Sequence, residues 1–184
     1  MRISVTLLQY EHGIVRQTID VLAEVVKGGR AKDKRADVTE LLSFILDYLD
    51  RFHHSKEEEC FFPQVVNYFP QFKEDVDGIY DDHVEARELL ETAITALEGE
   101  DWEVFDARSM DLVHHMTAHV EKEENHIFPT VDEDLPIDVD EAMNRCYQDF
   151  LRNFGEDYYQ KAEMFANDIQ DRLLGPGFFD KSIY

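Results

Sequence analysis

The stretch His119-Val-Glu-Lys-Glu-Glu-Asn-His-Ile-Phe-Pro129 has an upstream counterpart, His53-His-Ser-Lys-Glu-Glu-Glu-Cys-Phe-Phe-Pro63. Both read His-x-x-Lys-Glu-Glu, three variable positions, then Phe-Pro. Residues four apart share one face of a helix, so His53 lies over Glu57 and His119 over Glu123. Each stretch therefore projects an imidazole and a carboxylate in the same direction, which is half of a metal site. A lone His-x3-Glu carries little weight, but its duplication carries much more.

The flanking apolar spacing places both stretches on long amphipathic helices. Val5, Leu8, Val15, Ile19, Leu22 and Val26 predict a helix from 3 to about 27, ended by Gly28-Gly29, with His12 on its apolar stripe. A second helix is predicted from about 36 to 62, with Leu42, Leu46, Leu49, His53, Glu57 and Phe61 on one stripe and Pro63 as its stop. The third, about 72 to 98, aligns Ile79, His83, Ala86, Leu90, Ile94 and Leu97 before Gly99. The fourth, about 101 to 128, aligns Leu112, His115, Met116, His119, Glu123 and Ile127 before Pro129. Glu11-His12-x3-Arg16 on the first helix matches Asp82-His83-x3-Arg87 on the third, so the duplication covers two helix pairs related by a pseudo-twofold axis.

The expected fold is all-α. Residues 1–131 form an up-down-up-down four-helix bundle, and residues 132–184 form an acidic linker and a C-terminal helical extension packed on it. An unbroken helix carrying the stripe from Met143 to Leu173 would overhang such a bundle, and Gly155 is the expected break. Pairing with another subunit is the competing use of that stripe, and the oligomeric state stays open.

Lys+Arg 18 against Asp+Glu 41 leaves a formal charge of -23. Such a surface repels phosphates and anionic headgroups, which sets aside nucleic acid and membrane as partners. No run is apolar for long enough to span a bilayer. Cys60 and Cys146 are too few for a disulfide framework and imply a reducing compartment, with Cys60 a small buried hydrophobe. The N-terminus meets charged residues too early for a signal peptide, so a cytoplasmic location is expected.

Four imidazoles and two carboxylates thus fall on inward stripes, where an unpaired carboxylate costs several kcal/mol and only Arg16 or Arg87 stands by as an interior cation. A pair of metal ions supplies both the charge and the missing partners. Imidazole with carboxylate and no thiolate suits iron or manganese ahead of zinc. Glu57 and Glu123 are the bridging candidates, with the histidines as terminal ligands.

Over residues 3–130, these signatures resemble the hemerythrin-like family, the HHE cation-binding domain. Within it they are most similar to the non-heme di-iron branch related to bacterial iron-sulfur cluster repair proteins. The resemblance implies His12, His53, Glu57, His83, His119 and Glu123 as ligands of two iron ions with an oxo or hydroxo bridge. Oxygen-carrying members use five histidines, two of them a turn apart on the third helix. Here the residues at that spacing from His83 are Ile79 and Arg87. His115, one turn before His119, is a spare read first as a core histidine. His54, His114 and His126 are off the ligand positions and read as solvated or capping. Glu58 and Glu124 read as rim groups, and Glu11 and Asp82 as outer partners of ligand histidines. The expected function is binding and reduction of a small diatomic or peroxide ligand (nitric oxide, dioxygen or hydrogen peroxide), with an unidentified electron donor. The rivals are a sensor signalling through the C-terminal segment and a protein of iron storage or delivery.

Overall fold

Apolar stripes at helical spacing become helices nearly wherever the sequence places them. The computed structural model describes residues 1–179 and is all-helical, with no strand among the described residues. The end of the C-terminal extension, residues 180–184, lies outside them. Helix α1 spans Ile3–Lys27 and stops at Gly28, with Gly29 at φ 61, a left-handed turn that glycine makes without a Cβ clash. Helix α2, Arg35–Ile45, runs directly into a π-helical stretch, Leu46–His54. A second π turn, Glu57–Phe61, leads into α3, Phe62–Tyr68. Helices α4 and α5 span Lys73–Glu98 and Trp102–Lys122, and the Asp101 side chain caps α5 by accepting from the Val104 N–H at 3.2 Å. A third π turn, Glu123–Ile127, joins α5 to α6, Phe128–Asp134.

Pro63 and Pro129 do not end their helices, contrary to expectation. Each sits in the first turn of a following helix, directly after a π turn. Proline lacks the N–H and collides with the carbonyl four residues back; widening the preceding turn to i→i+5 bonding absorbs both defects, and the helical path continues.

The buried apolar residues form two clusters. One is built on Val15, Leu22, Leu41, Phe52, Leu90, Phe105 and Leu112, and the other on Val5, Leu8, Phe61, Phe62, Ile79, Ile127 and Phe128. Between them, at the same level on each long helical stretch, lie His12, His53, Glu57, His83, His119 and Glu123, all buried. The bundle is thus apolar at both ends and polar in one internal layer.

Helices α7, Ile137–Arg152, and α8, Tyr158–Leu174, follow, separated at Gly155, whose φ is 107. Both pack on α1; α8 also lies on α2, and α7 on the π turn Glu57–Phe61. The Asp140 carboxylate of α7 accepts from the Ile3 and Ser4 N–H groups at 2.9 and 3.0 Å, so α7 satisfies donors that α1 leaves free at its start. The Phe52 ring is enclosed by Phe150, Phe154, Tyr158 and Tyr159.

Cys60 and Cys146 are bonded to each other, which corrects the expectation for the cysteines and removes them as grounds for a reducing compartment. Packing of α7 on the π turn brings their Cα atoms to 5.9 Å, inside the range a disulfide spans. The link closes a loop across a sequence separation of 86. Cys146→Ser is expected to lower unfolding free energy by about 2–4 kcal/mol. Denaturant melts check this: reductant should reproduce the loss in the wild-type chain and leave the variant unchanged.

Candidate metal centre

Two donor sets that share both carboxylates occupy the polar layer. His12, His53, Glu57 and Glu123 offer ligand atoms within 4.8 Å of one another, and Glu57, His83, His119 and Glu123 do the same. The two carboxylates are common to both. Glu57 turns Oε1 to His53 Nε2 and Oε2 to His83 Nε2, each at 3.6 Å. Glu123 Oε2 faces His12 Nε2 at 3.1 Å and His119 Nε2 at 3.7 Å. Each carboxylate therefore reaches a histidine of either set, which is the disposition of a bridge between two cations.

No hydrogen bond within the protein satisfies these atoms. The Nε2 atoms of His12, His53, His83 and His119 and both oxygens of Glu57 and Glu123 are buried without a hydrogen-bond partner. Such clustering of orphaned donors and acceptors is destabilising unless a cation meets them, and the donor set fits divalent metals of the iron and manganese kind.

The other ring nitrogens explain why Nε2 converges. His12 Nδ1 lies 2.9 Å from Glu124 Oε1, His83 Nδ1 2.8 Å from Glu58 Oε1, and His53 Nδ1 2.9 Å from Glu11 Oε2. His119 Nδ1 faces Asp82 Oδ2 at 3.7 Å. An Nδ1–H donated to a carboxylate fixes the tautomer and aims Nε2 inward. Glu58 and Glu124 are thus not idle rim groups. The second glutamate of each Lys-Glu-Glu holds the histidine of the acid-His-x3-Arg segment in the other helix pair's register, and that reciprocity was the missed signal in the duplication.

The interior cation is Lys56, not Arg16 or Arg87. Arg16 binds Glu124 at 2.6 Å and Arg87 binds Asp50 at 2.7 Å, both with partly exposed guanidinium groups. Lys56 is fully buried, paired with Glu11 and set over the rings of Phe52, Tyr147 and Tyr159 at 4.7, 4.8 and 5.9 Å. Tyr159 of α8 donates its hydroxyl to Glu11 Oε1 at 2.5 Å. Burial opposes ionisation of Glu11, but Lys56 and His53 outweigh it and hold the carboxyl at about 2. The matching trio Lys122–Asp82–His119 is open to solvent, with Lys122 36% and Asp82 27% exposed against 0% for Lys56 and Glu11.

Among the remaining histidines, His115 is half-buried with Nε2 2.8 Å from the Asp82 carbonyl, turned to that carbonyl. His114 and His126 are exposed. His54 contradicts expectation: it is fully buried in the layer, and burial with the nearby His83, His119 and His53 pushes its pKa well below the ordinary value.

Burial and the charge of Glu123 push the Glu57 carboxyl well above its ordinary 4.5. Burial acts likewise on Glu123, but His119 and His12 overcome it and hold that carboxyl down at about 2. In the metal-free chain Glu57 therefore binds its proton more tightly folded than unfolded, and its contribution to stability falls as pH rises above 4.5. The Glu123 contribution lies in the opposite window and is lost only as pH drops from 4.5 toward 2. Glu57→Gln is expected to raise metal-free stability near neutral pH by about 1–3 kcal/mol, to remove the Glu57 share of the pH dependence above 4.5, and to weaken metal binding. Unfolding of metal-free protein across pH, paired with metal titration, measures all three.

No curated protein and no solved structure matches the chain. A family model does match, that of the hemerythrin HHE cation-binding domain, over residues 4–131, from the start of α1 into α6 and short of α7 and α8. With the match spanning most of the chain and both donor sets, the protein belongs to the hemerythrin HHE cation-binding domain family.

Proposed function

We propose that the layer holds two iron ions, bridged by Glu57 and Glu123, and that the protein binds and reduces a small ligand there: nitric oxide, dioxygen or hydrogen peroxide. The observation that carries this reading is the sharing of both carboxylates between two histidine pairs. In this reading the four long helical stretches form an up-down-up-down bundle of the di-iron branch. His12, His53, Glu57, His83, His119 and Glu123 would hold the ions, and bound iron would supply the electrons for reduction of the small ligand. Few protein donors per ion leave coordination positions for it.

The chain's own groups serve that chemistry in distinct ways. Apolar clusters on both sides of the layer exclude water. Glu58, Glu124 and Glu11 keep Nδ1 protonated and Nε2 directed inward. Ionised Glu11 accepts from Lys56 and from the Tyr159 hydroxyl at Oε1, which pins the carboxylate that holds His53 Nδ1. A cleft of about 130 Å³ between α1 and α5 is lined by Val15, Arg16, Met116 and Val120, next to or one turn from His12 and His119. Near-complete burial of the ligands supports retained ions over iron storage or delivery.

The test is metal content with optical spectra, taken before and after anaerobic reduction and exposure to each small molecule. Two irons per chain, with bands that bleach on reduction and respond to one of the gases or to peroxide, are expected. A well-folded chain holding a single zinc, or whose iron ignores all three molecules, would remove the redox reading.

The contact between Tyr159 and Glu11 favours a second reading, a sensor whose signal leaves through α8. Ligand arrival beside His53 would then alter the bond network that ties Tyr158–Leu174 to the centre. Hydrogen exchange across α8 is expected to change on ligand binding in the wild-type chain and to stay constant in Tyr159→Phe. Exchange unchanged in the wild-type chain rejects the sensor.

A further inference from the structure

The two His-x-x-Lys-Glu-Glu stretches differ at one position within the layer: His54 follows His53, whereas Val120 follows His119. Both residues are 1% exposed. An apolar side chain fills that place in one half of the bundle, and an imidazole with neither ring nitrogen hydrogen-bonded fills it in the other. Packing alone does not account for the imidazole, since a buried polar group without a partner is destabilising where valine would serve.

His54 lies among candidate ligands. Its ring lies flat over His83, with centroids 3.7 Å apart and planes at 7°, so one ion in the plane of both rings requires one of them to turn; it stands edge-on to His119 at 5.4 Å. His54, His83 and His119 offer nitrogens within 4.8 Å of one another, and the latter two belong to one of the carboxylate-sharing sets. The backbone also differs between the halves. The π-helical stretch Leu46–His54 ends at this residue, and the corresponding stretch of α5 is regular α-helix up to Lys122. A wider turn rotates successive side chains less than an α turn does, so His53 and His54 both face the layer.

We propose that His54 is a metal ligand, joining His83 and His119 at one ion while His12 and His53 serve the other, with Glu57 and Glu123 shared. This rests on the two-ion reading above. It makes the halves unequal despite the duplicated sequence. An ion on the His12–His53 side, beside Glu11, would then have fewer protein donors than its neighbour.

The experiment compares the full-length wild type, His54→Leu and His53→Leu, loaded anaerobically with ferrous iron and titrated with a competing chelator. His54→Leu is expected to fold, as Val120 at the matching place implies. It should keep one iron at wild-type affinity and hold the second more weakly, by at least the roughly 10–100-fold that loss of an outer partner costs, with altered absorption of the oxidised pair. Two irons at wild-type affinity with an unchanged spectrum would make His54 a packing residue and overturn the assignment. A wild-type chain that itself takes up fewer than two irons fails at the earlier step and defeats the two-ion reading along with this one. If His54→Leu does not fold, nitrogen NMR of labelled histidines in the wild-type chain loaded with zinc decides. A His54 nitrogen shifted to a metal-bound position supports ligation, and one left unmoved while His83 and His119 shift rejects it.

Discussion

Two carboxylates buried without a hydrogen bond, Glu57 and Glu123, are the constraint to which this bundle is fitted. Burial, with the charge of Glu123 added to it, drives Glu57 toward its protonated form. A protein selected for stability alone would replace them with leucines, as the apolar layers above and below are filled. Retaining both, ringed by imidazoles whose free nitrogens point at them, makes sense only as a receptacle for positive charge.

The layer is held by further carboxylates, which contact its histidines at Nδ1. Glu58, Glu124 and Glu11 each bond the Nδ1 of a histidine on a different helical stretch, so every such bond fixes a ring and clamps two stretches. Orientation and packing are therefore one set of interactions. Burial lowers the pKa of His53 and His83, and these carboxylates oppose that lowering; Arg16 binds their outer edge at Glu124.

Much of this was legible in the sequence, because helical periodicity and internal duplication are local signals. Helix α1 and the spans of α4 and α5 follow from apolar spacing and terminal glycines. The six histidines and glutamates that converge were nameable because the same spacing occurs twice. What escaped were features that depend on register or on distant parts of the chain. The π turns shift which neighbours face inward, so a strictly α-helical reading put His54 outside the layer. Burial of Lys56 required Tyr147 and Tyr159 from beyond the bundle. The Cys60–Cys146 bond joins residues that no periodicity relates.

The extension changes the chemistry of a symmetric plan. From the repeat alone, Lys56–Glu11–His53 and Lys122–Asp82–His119 should behave alike. Helices α7 and α8 cover the first trio and leave the second facing water. A covered lysine–carboxylate pair interacts through protein, with little screening by salt, whereas the exposed pair is weakened by solvent. The histidine held by Glu11 therefore sits in a steadier field than the one beside Asp82. The geometry also differs: His53 Nδ1 is 2.9 Å from its carboxylate and His119 Nδ1 is 3.7 Å from its own. Two nearly identical half-sites become inequivalent through what is packed outside them. Inequivalence is what a centre needs if one ion is to anchor and the other to exchange ligands. The segment lying beyond the family match thus touches the carboxylate that holds His53, through the short contact between Tyr159 and Glu11.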